Sequence, residues 1–203
     1  GERVIGVDVI NAYYDPALKY ARLATLEGAN GFSFEKLDFA DRDAMLDLVA
    51  RNPDIDRVIH LGAQAGVRYS LEQPFEYLKS NMTGQLVMME ACRVMMDRPD
   101  GCRSFVYASS SSVYGANRKM PFSLEQRTDQ PMSFYGATKK AGEVMVQSYA
   151  HLYRIPSIGL RFFTVYGPWG RPDMSPYIFT SKILNGETIQ VFNNGDMSRD
   201  FTF

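Results

Sequence analysis

Apolar residues along the 203-residue chain fall into short continuous runs, separated by longer stretches with helical spacing. Runs of strand length stand at Val4–Val7, Phe32–Leu37, Arg57–Leu61, Ser104–Ala108 and Ser157–Phe163. Between them, apolar positions three to four residues apart predict helices over Pro16–Leu26, Arg42–Ala50, Phe75–Met96 and Phe134–Tyr153. Strands that are apolar throughout, alternating with helices, argue for a parallel sheet covered on both faces. Beyond Phe163 the texture changes. "VYGPWGRPDM" is dense in Gly and Pro and reads as a long loop. A helix over Pro176–Leu184 and a strand over Thr188–Phe192 are predicted next, with a further strand beginning in "RDFTF".

In an open parallel sheet, ligands lie outside the carboxyl ends of the strands, so the residues just after each apolar run matter most. Asp8 follows the first run and Asp38 the second; "LGAQAG", "SSSSVYG" and "FFTVYG" follow the other three. An acid at a strand tip can accept bonds from ribose hydroxyls, or it can cap a turn. Gly62 and Ala63 let a flat ring or a diphosphate approach the backbone, or they serve close packing. Five such tips in succession are hard to attribute to turns alone.

Composition narrows the classes. The 22 basic and 23 acidic residues balance to a net charge of −1, which leaves no electrostatic footprint for nucleic acid or an anionic membrane. Cys92 and Cys102 stand in no metal-binding spacing and read as reduced core residues of a cytoplasmic protein. His60 and His151 are too few for a zinc site. No apolar run is long enough to span a bilayer.

The chemistry concentrates in "SFYGATKKAGEVM". Tyr135 and Lys139 are four residues apart on a predicted helix and share a face. A nearby ammonium favours the phenolate and draws a tyrosine toward the working range of a general base. Alone, this spacing is a common helix surface. Here it is joined by Ser109–Ser112 at a strand tip, and a strand-tip hydroxyl with a Tyr–Lys pair can polarise a carbinol and remove its proton.

These stretches resemble the extended short-chain dehydrogenase/reductase family, the NAD-dependent epimerases and dehydratases. The matching segments are "DVINAYYDPALKYARL", "HLGAQAGVRYSLEQPFEYLKSN", "YASSSSVYG", "YGATKKAGEVM", "LRFFTVYGPWGRPDM" and "RDFTF", and "YYDPALK" with "FFTVYGPWGRPDM" points to the members that act on uronates. The resemblance implies a Rossmann-like, doubly wound α/β fold with part of a smaller C-terminal substrate domain. It divides the chain into residues 1–163 for NAD and 164–203 for substrate. The implied cofactor is NAD and the implied partner a UDP-sugar, with a homodimer in the full-length parent. Asp8 would hold the adenosine ribose, and Asp38 with Phe39 would frame the adenine. Leu61, Gly62, Ala63 and Ser80 would line the cofactor groove, with Phe163 near the nicotinamide. Ser110 would meet the sugar 4-oxygen, assisted by Ser111 and Ser112; Tyr135 would be the base, and Lys139 would bind the nicotinamide ribose. Thr164 would touch the hexose, Arg199 the diphosphate, and Arg171 the uronate carboxylate, with Arg68 as second candidate.

The implied activity is epimerisation at C4 of a nucleotide sugar, UDP-glucuronate to UDP-galacturonate. Departures from the pattern are equally specific. The family's first strand and Gly-rich turn, which grip the cofactor pyrophosphate, have no counterpart, and family members continue past "RDFTF". The expectation is a fragment whose own activity is in doubt. A 4,6-dehydratase is disfavoured because Ser111 and Ser112 stand where an acidic pair is usual. A UDP-glucuronate decarboxylase and a non-catalytic NAD-binding protein remain the other readings.

Overall fold

A computed structural model describes residues 2–196, 198 and 200–203. Its elements, in chain order, are β1 (Val4–Asp8), α1 (Pro16–Ala24), β2 (Phe32–Lys36), α2 (Arg42–Arg51), β3 (Arg57–His60), α3 (Tyr69–Glu72), α4 (Pro74–Tyr77), a π-turn (Leu78–Thr83), α5 (Gly84–Met96), β4 (Ser104–Ser110), a 3₁₀ turn (Ser111–Tyr114), α6 (Phe134–Tyr153), β5 (Ser157–Phe162), β6 (Thr164–Val165), α7 (Ser175–Leu184), a second 3₁₀ turn (Phe192–Gly195) and β7 (Phe201–Thr202). The strands lie in the orders β1-β2, β3-β4-β5 and β6-β7. β3 and β4 run parallel, with Arg57 opposite Ser104 and His60 opposite Tyr107, and β6 and β7 are also parallel. This is the expected α/β, Rossmann-like arrangement.

Two departures from the sequence reading stand out. Thr188–Phe192 is not a strand: Lys182 Nζ donates to the Thr188 carbonyl at 3.4 Å, and the chain closes into the 3₁₀ turn of "FNNG", where Asn194 (φ 52°) and Gly195 (φ 80°) turn the backbone left-handed. The single helix predicted over Phe75–Met96 is instead α4, the π-turn and α5. A π-turn keeps helical hydrophobicity while adding a residue to one turn, so periodicity does not reveal it.

The chain forms two compact units. The larger comprises residues 6–9 and 34–161. In it α5 packs between α2 and α6, and α6 lies on β4. Its core is formed by Met45, Leu48 and Val49 of α2, Val87, Met88, Met89, Ala91, Cys92 and Met95 of α5, Phe105 of β4 and Val146 of α6. A fully buried side chain of the size of Phe105 contributes about 1.5–3 kcal/mol. Ser133 caps α6 by accepting from the Gly136 N–H at 3.0 Å, and Arg154 in the left-handed region (φ 59°) ends it two residues before Pro156.

The smaller unit comprises residues 1–5, 10–33 and 162–203. Neither α1 nor α7 contributes a buried residue, and polar and aromatic contacts hold this unit together. Arg22 donates to the Trp169 carbonyl at 2.7 and 3.0 Å and to the Tyr14 hydroxyl at 2.7 Å. Trp169 is itself in the left-handed region (φ 62°), fixed there by the two bonds to its carbonyl. A cavity of about 550 Å³ opens among Tyr14, Val165, Trp169, Met174 and Tyr177.

Candidate active site

β4 and α6 assemble the centre. Ser110 ends β4, is buried, and accepts the Ser112 N–H at 3.2 Å, so its oxygen caps the following 3₁₀ turn while its own proton remains available to donate. Ser111 and Ser112 lie half-buried in that turn. Its packing against α6 is close: a Cβ on Gly136 would stand 2.8 Å from the Ser112 carbonyl oxygen.

Tyr135 is half-buried in the first turn of α6. Its N–H donates to Ser70 Oγ at 3.4 Å, and its ring meets that of Tyr77 edge to face at 6.1 Å. Lys139, one turn on, is buried and donates from Nζ to the Ala108 carbonyl at 2.8 Å. Burial lowers its pKa to about 8. Beside it, burial and then the Lys139 charge lower His60 to about 3, so that this imidazole is neutral at pH 7.

The predicted cofactor positions divide. Asp8 ends β1, and its carbonyl accepts the Leu37 N–H at 3.2 Å. Asp38 accepts from Ala40 N–H at 2.9 Å and from Lys79 Nζ at 2.7 Å. Burial alone would raise the Asp38 pKa, but Lys79 and the Ala40 amide outweigh it and the net shift is downward. Phe39 places its ring between two glycines. A Cβ on Gly62 would stand 2.6 Å from that ring, and one on Gly84 2.3 Å. The small size of Gly62 therefore admits a neighbouring side chain on that side. Leu61 is exposed and Ala63 half-buried; Ser80 lies half-buried in the π-turn.

Phe163, Thr164 and Arg171 belong to the smaller unit. Thr164 pairs with Phe201 across β6 and β7, and Phe163 precedes it, half-buried. The Arg171 fork is bidentate on Asp173, at 2.9 and 2.6 Å, and Tyr13 donates its hydroxyl to the same carboxylate at 3.1 Å. Arg199 lies outside the described residues.

Three groups, Asn81, Glu143 and Arg161, escaped the sequence reading. Asn81 in the π-turn bonds to both backbone groups of Gln64, and Glu143 and Arg161, both half-buried, form an ionic cluster with Ser109 of the serine run. Glu143 could have been flagged, because a carboxylate four residues after Lys139 shares its helix face. Its partner Arg161 sits inside an apolar run and carried no such signal. Cys92 and Cys102 are buried and free of disulfide. Among the described residues no cluster of His, Cys, Asp and Glu suited to a metal ion occurs, and no helix is long and apolar enough to cross a membrane.

Residues 2–203 match the family model described as the NAD dependent epimerase/dehydratase family. UDP-glucuronate 4-epimerase 3 of Arabidopsis thaliana is 49% identical over 206 residues, covering 100% of this chain and 46% of that protein. A probable UDP-glucuronate 4-epimerase of Rhizobium meliloti is 47% identical over 203 residues, covering 100% of this chain and 58% of its own length. The crystal structure of UDP-glucuronic acid 4-epimerase from Bacillus cereus with UDP-glucuronic acid and NAD superposes with a TM-score of 0.88. The identity is 33%, covering 98% of this chain and 60% of that one. The chain thus spans about half to three-fifths of the length of these proteins. With the strand-tip serine, the Tyr–Lys helix and the parallel sheet already in place, the match over nearly every residue shows that the chain belongs to the NAD-dependent epimerase/dehydratase family.

Proposed function

We propose that the protein epimerises a nucleotide sugar at C4, converting UDP-glucuronate to UDP-galacturonate. The observation that carries this reading is Lys139, a buried ammonium held on the Ala108 carbonyl one helical turn from Tyr135 and two residues of β4 away from Ser110. The names of two relatives 49% and 47% identical, and of a solved structure 33% identical, support the choice of sugar.

Tyr135 takes the proton of the 4-hydroxyl and later returns it. Lys139 holds the phenolate form of Tyr135 by its charge, and Ser110 donates its hydroxyl proton to the 4-oxygen as that oxygen becomes a carbonyl. Bound NAD would supply a temporary hydride acceptor, so that C4 is oxidised and reduced again with no net redox change. The chain fits the nicotinamide end of such a cofactor: Lys139 has one hydrogen bond, to Ala108, and an ammonium has three donors, which leaves capacity for ribose hydroxyls. For the pyrophosphate, the family's Gly-rich turn has no counterpart in these residues.

Ser111 and Ser112, where a dehydratase usually has an acidic pair, support epimerisation over dehydration. For a uronate, Arg171 is the proposed restraint on the carboxylate, its fork already oriented by Asp173.

The test is to supply UDP-glucuronate and NAD to a protein carrying these residues at the length of its relatives, and to separate the products. UDP-galacturonate is expected, and Tyr135→Phe should lower its formation about 10²–10⁴-fold. UDP-xylose as the main product, or no product at all, overturns the reading.

A further inference from the structure

Glu143 has no capacity left for substrate or solvent. Its Oε1 accepts from Ser109 Oγ at 2.7 Å and from Arg161 Nε at 2.8 Å. Its Oε2 accepts from Arg161 Nη2 at 2.9 Å and from Lys140 Nζ at 3.3 Å. Those four bonds fill the acceptor sites of a carboxylate. The side chains of Glu143 and Arg161 are only 12% and 17% exposed, so both charges are largely withdrawn from water.

The cluster reaches further through Arg161. Its guanidinium carbon stands 4.9 Å over the ring of Tyr114, the last residue of the 3₁₀ turn, and that ring stacks on Phe122 at 4.5 Å. One nitrogen of the fork, Nη1, is buried with no hydrogen-bond partner. A buried ion pair with an orphaned donor is a poor source of net stability, and apolar residues of similar volume commonly replace such pairs without loss. What the pair supplies instead is direction, since a bidentate fork fixes distance and angle together.

The elements so fixed are those that carry the proposed chemistry. Tyr135, Lys139 and Glu143 recur at intervals of four along α6 and lie on one face. Lys139 anchors that face to Ala108, and Glu143 anchors it one turn further along to Ser109. Ser110 is the next residue of β4 and lies, in the chain, between two residues the cluster holds, Ser109 and Tyr114. The packing of α6 on α5, the π-turn and β4 holds the helix in place. These two polar anchors, one helical turn apart and both on β4, add a directional constraint on its rotation and sliding against that strand. We infer that Glu143 is a positioning residue, which with Arg161 and Ser109 holds α6 on the tip of β4 and so sets where Tyr135 stands relative to Ser110.

This inference rests on Tyr135 as base and Ser110 as the hydroxyl that meets the sugar. A misplacement of about 1 Å in such a pair costs on the order of 10²-fold in rate. Glu143→Gln keeps the volume and replaces one acceptor oxygen by an amide that faces donors. In a protein with these residues at the length of its relatives, it should lower kcat for UDP-glucuronate about 10–100-fold, with KM within about twofold. Val146→Ala, a buried truncation on the same helix outside the cluster, is the control and should leave kcat within about threefold. Arg161→Lys, which keeps the charge but loses the fork, should fall between Glu143→Gln and wild type; it replaces Glu143→Gln if that variant does not fold.

A second measurement does not depend on turnover. With tyrosine labelled by ¹³C at Cζ, the Tyr135 resonance is assigned by its loss in Tyr135→Phe. It should shift in Glu143→Gln and stay in place in Val146→Ala. Unchanged kcat in Glu143→Gln, an equal loss in Val146→Ala, or a Tyr135 resonance that does not move overturns the positioning role. If Tyr135→Phe and Ser110→Ala keep wild-type activity, the proposed function fails instead, and the resonance alone then decides whether Glu143 positions Tyr135.

Discussion

The Asn81 carboxamide ties the π-turn to α6, its Nδ2 donating to the Thr138 hydroxyl at 3.0 Å. Thr138 in turn donates to the Tyr135 carbonyl at 2.8 Å, so the chain of bonds ends on the backbone of the proposed base. The same amide donates to the Gln64 carbonyl at 3.0 Å and accepts the Gln64 N–H at 2.8 Å. Asn81→Ala leaves both buried backbone groups unpaired and should lower unfolding stability by about 1–3 kcal/mol. Urea denaturation measures this, and an unchanged midpoint would show that water restores the lost bonds.

The ring of Phe39 occupies space that a side chain on residue 84 would need. Gly84→Ala places a methyl 2.3 Å from Phe39 Cε2 and should destabilise the protein by about 1–3 kcal/mol through overpacking. Truncating the ring removes that clash. In the double variant with Phe39→Ala, Gly84→Ala should therefore cost almost nothing, a coupling of about 1 kcal/mol or more. Strict additivity would mean that the two groups do not meet.

His60 makes stability depend on acid. Its native pKa, held down to about 3 first by burial and then by the Lys139 charge, lies below that of an unfolded histidine. Between pH 6.5 and 3 the unfolded chain therefore binds a proton that the native protein does not. Stability falls as pH drops through that window, with a slope approaching about 1.4 kcal/mol per pH unit, and this group has no effect above it. His60→Leu should flatten that limb in denaturation midpoints taken from pH 7 to 4. An equal acid slope in the variant would assign the effect to carboxylates.

Arg171 tests the choice between epimerisation and decarboxylation. Its guanidinium is bonded to Asp173, whose pKa burial would raise but which Arg171 and the Tyr13 hydroxyl hold low. Arg171→Ala should slow UDP-galacturonate formation about tenfold or more and increase the fraction of UDP-xylose. Asp173→Asn, which leaves the fork without a full charge opposite, should show the same change to a smaller degree. Unchanged kinetics with no pentose product would remove Arg171 from the site.

Much of this architecture was legible in the residues themselves. The five predicted strands are present within two residues at their ends, and α6 has the limits its apolar spacing predicts. It is bounded by Ser133, a good cap, and by Pro156 shortly after its end. The Tyr135–Lys139 pair was visible for the same reason, since helical spacing puts them on one face. What escaped depends on contacts between distant parts of the chain. Thr188–Phe192 has strand composition, yet Lys182 takes up the Thr188 carbonyl. Gly62 read either as room for a ligand or as close packing, and only the folded chain shows that the side chain beside it is Phe39. Glu143 and Arg161 are 18 residues apart and lie on different element types, so no periodicity relates them.

"SSSS" offers four chemically identical hydroxyls, and composition has no way to rank them. The parallel pairing of β3 with β4, which sets His60 opposite Tyr107, ranks them by depth and direction. Ser109 is turned toward Glu143, Ser110 ends the strand, and Ser111 and Ser112 enter the turn. A slip of a single residue in that pairing would bring either Ser110 or Ala108 to the place where Ser109 now meets Glu143, and Ser111 or Ser109 to the place Ser110 now holds. The register of two short strands thus decides which of four equal hydroxyls meets Glu143 and which stands at the end of the strand.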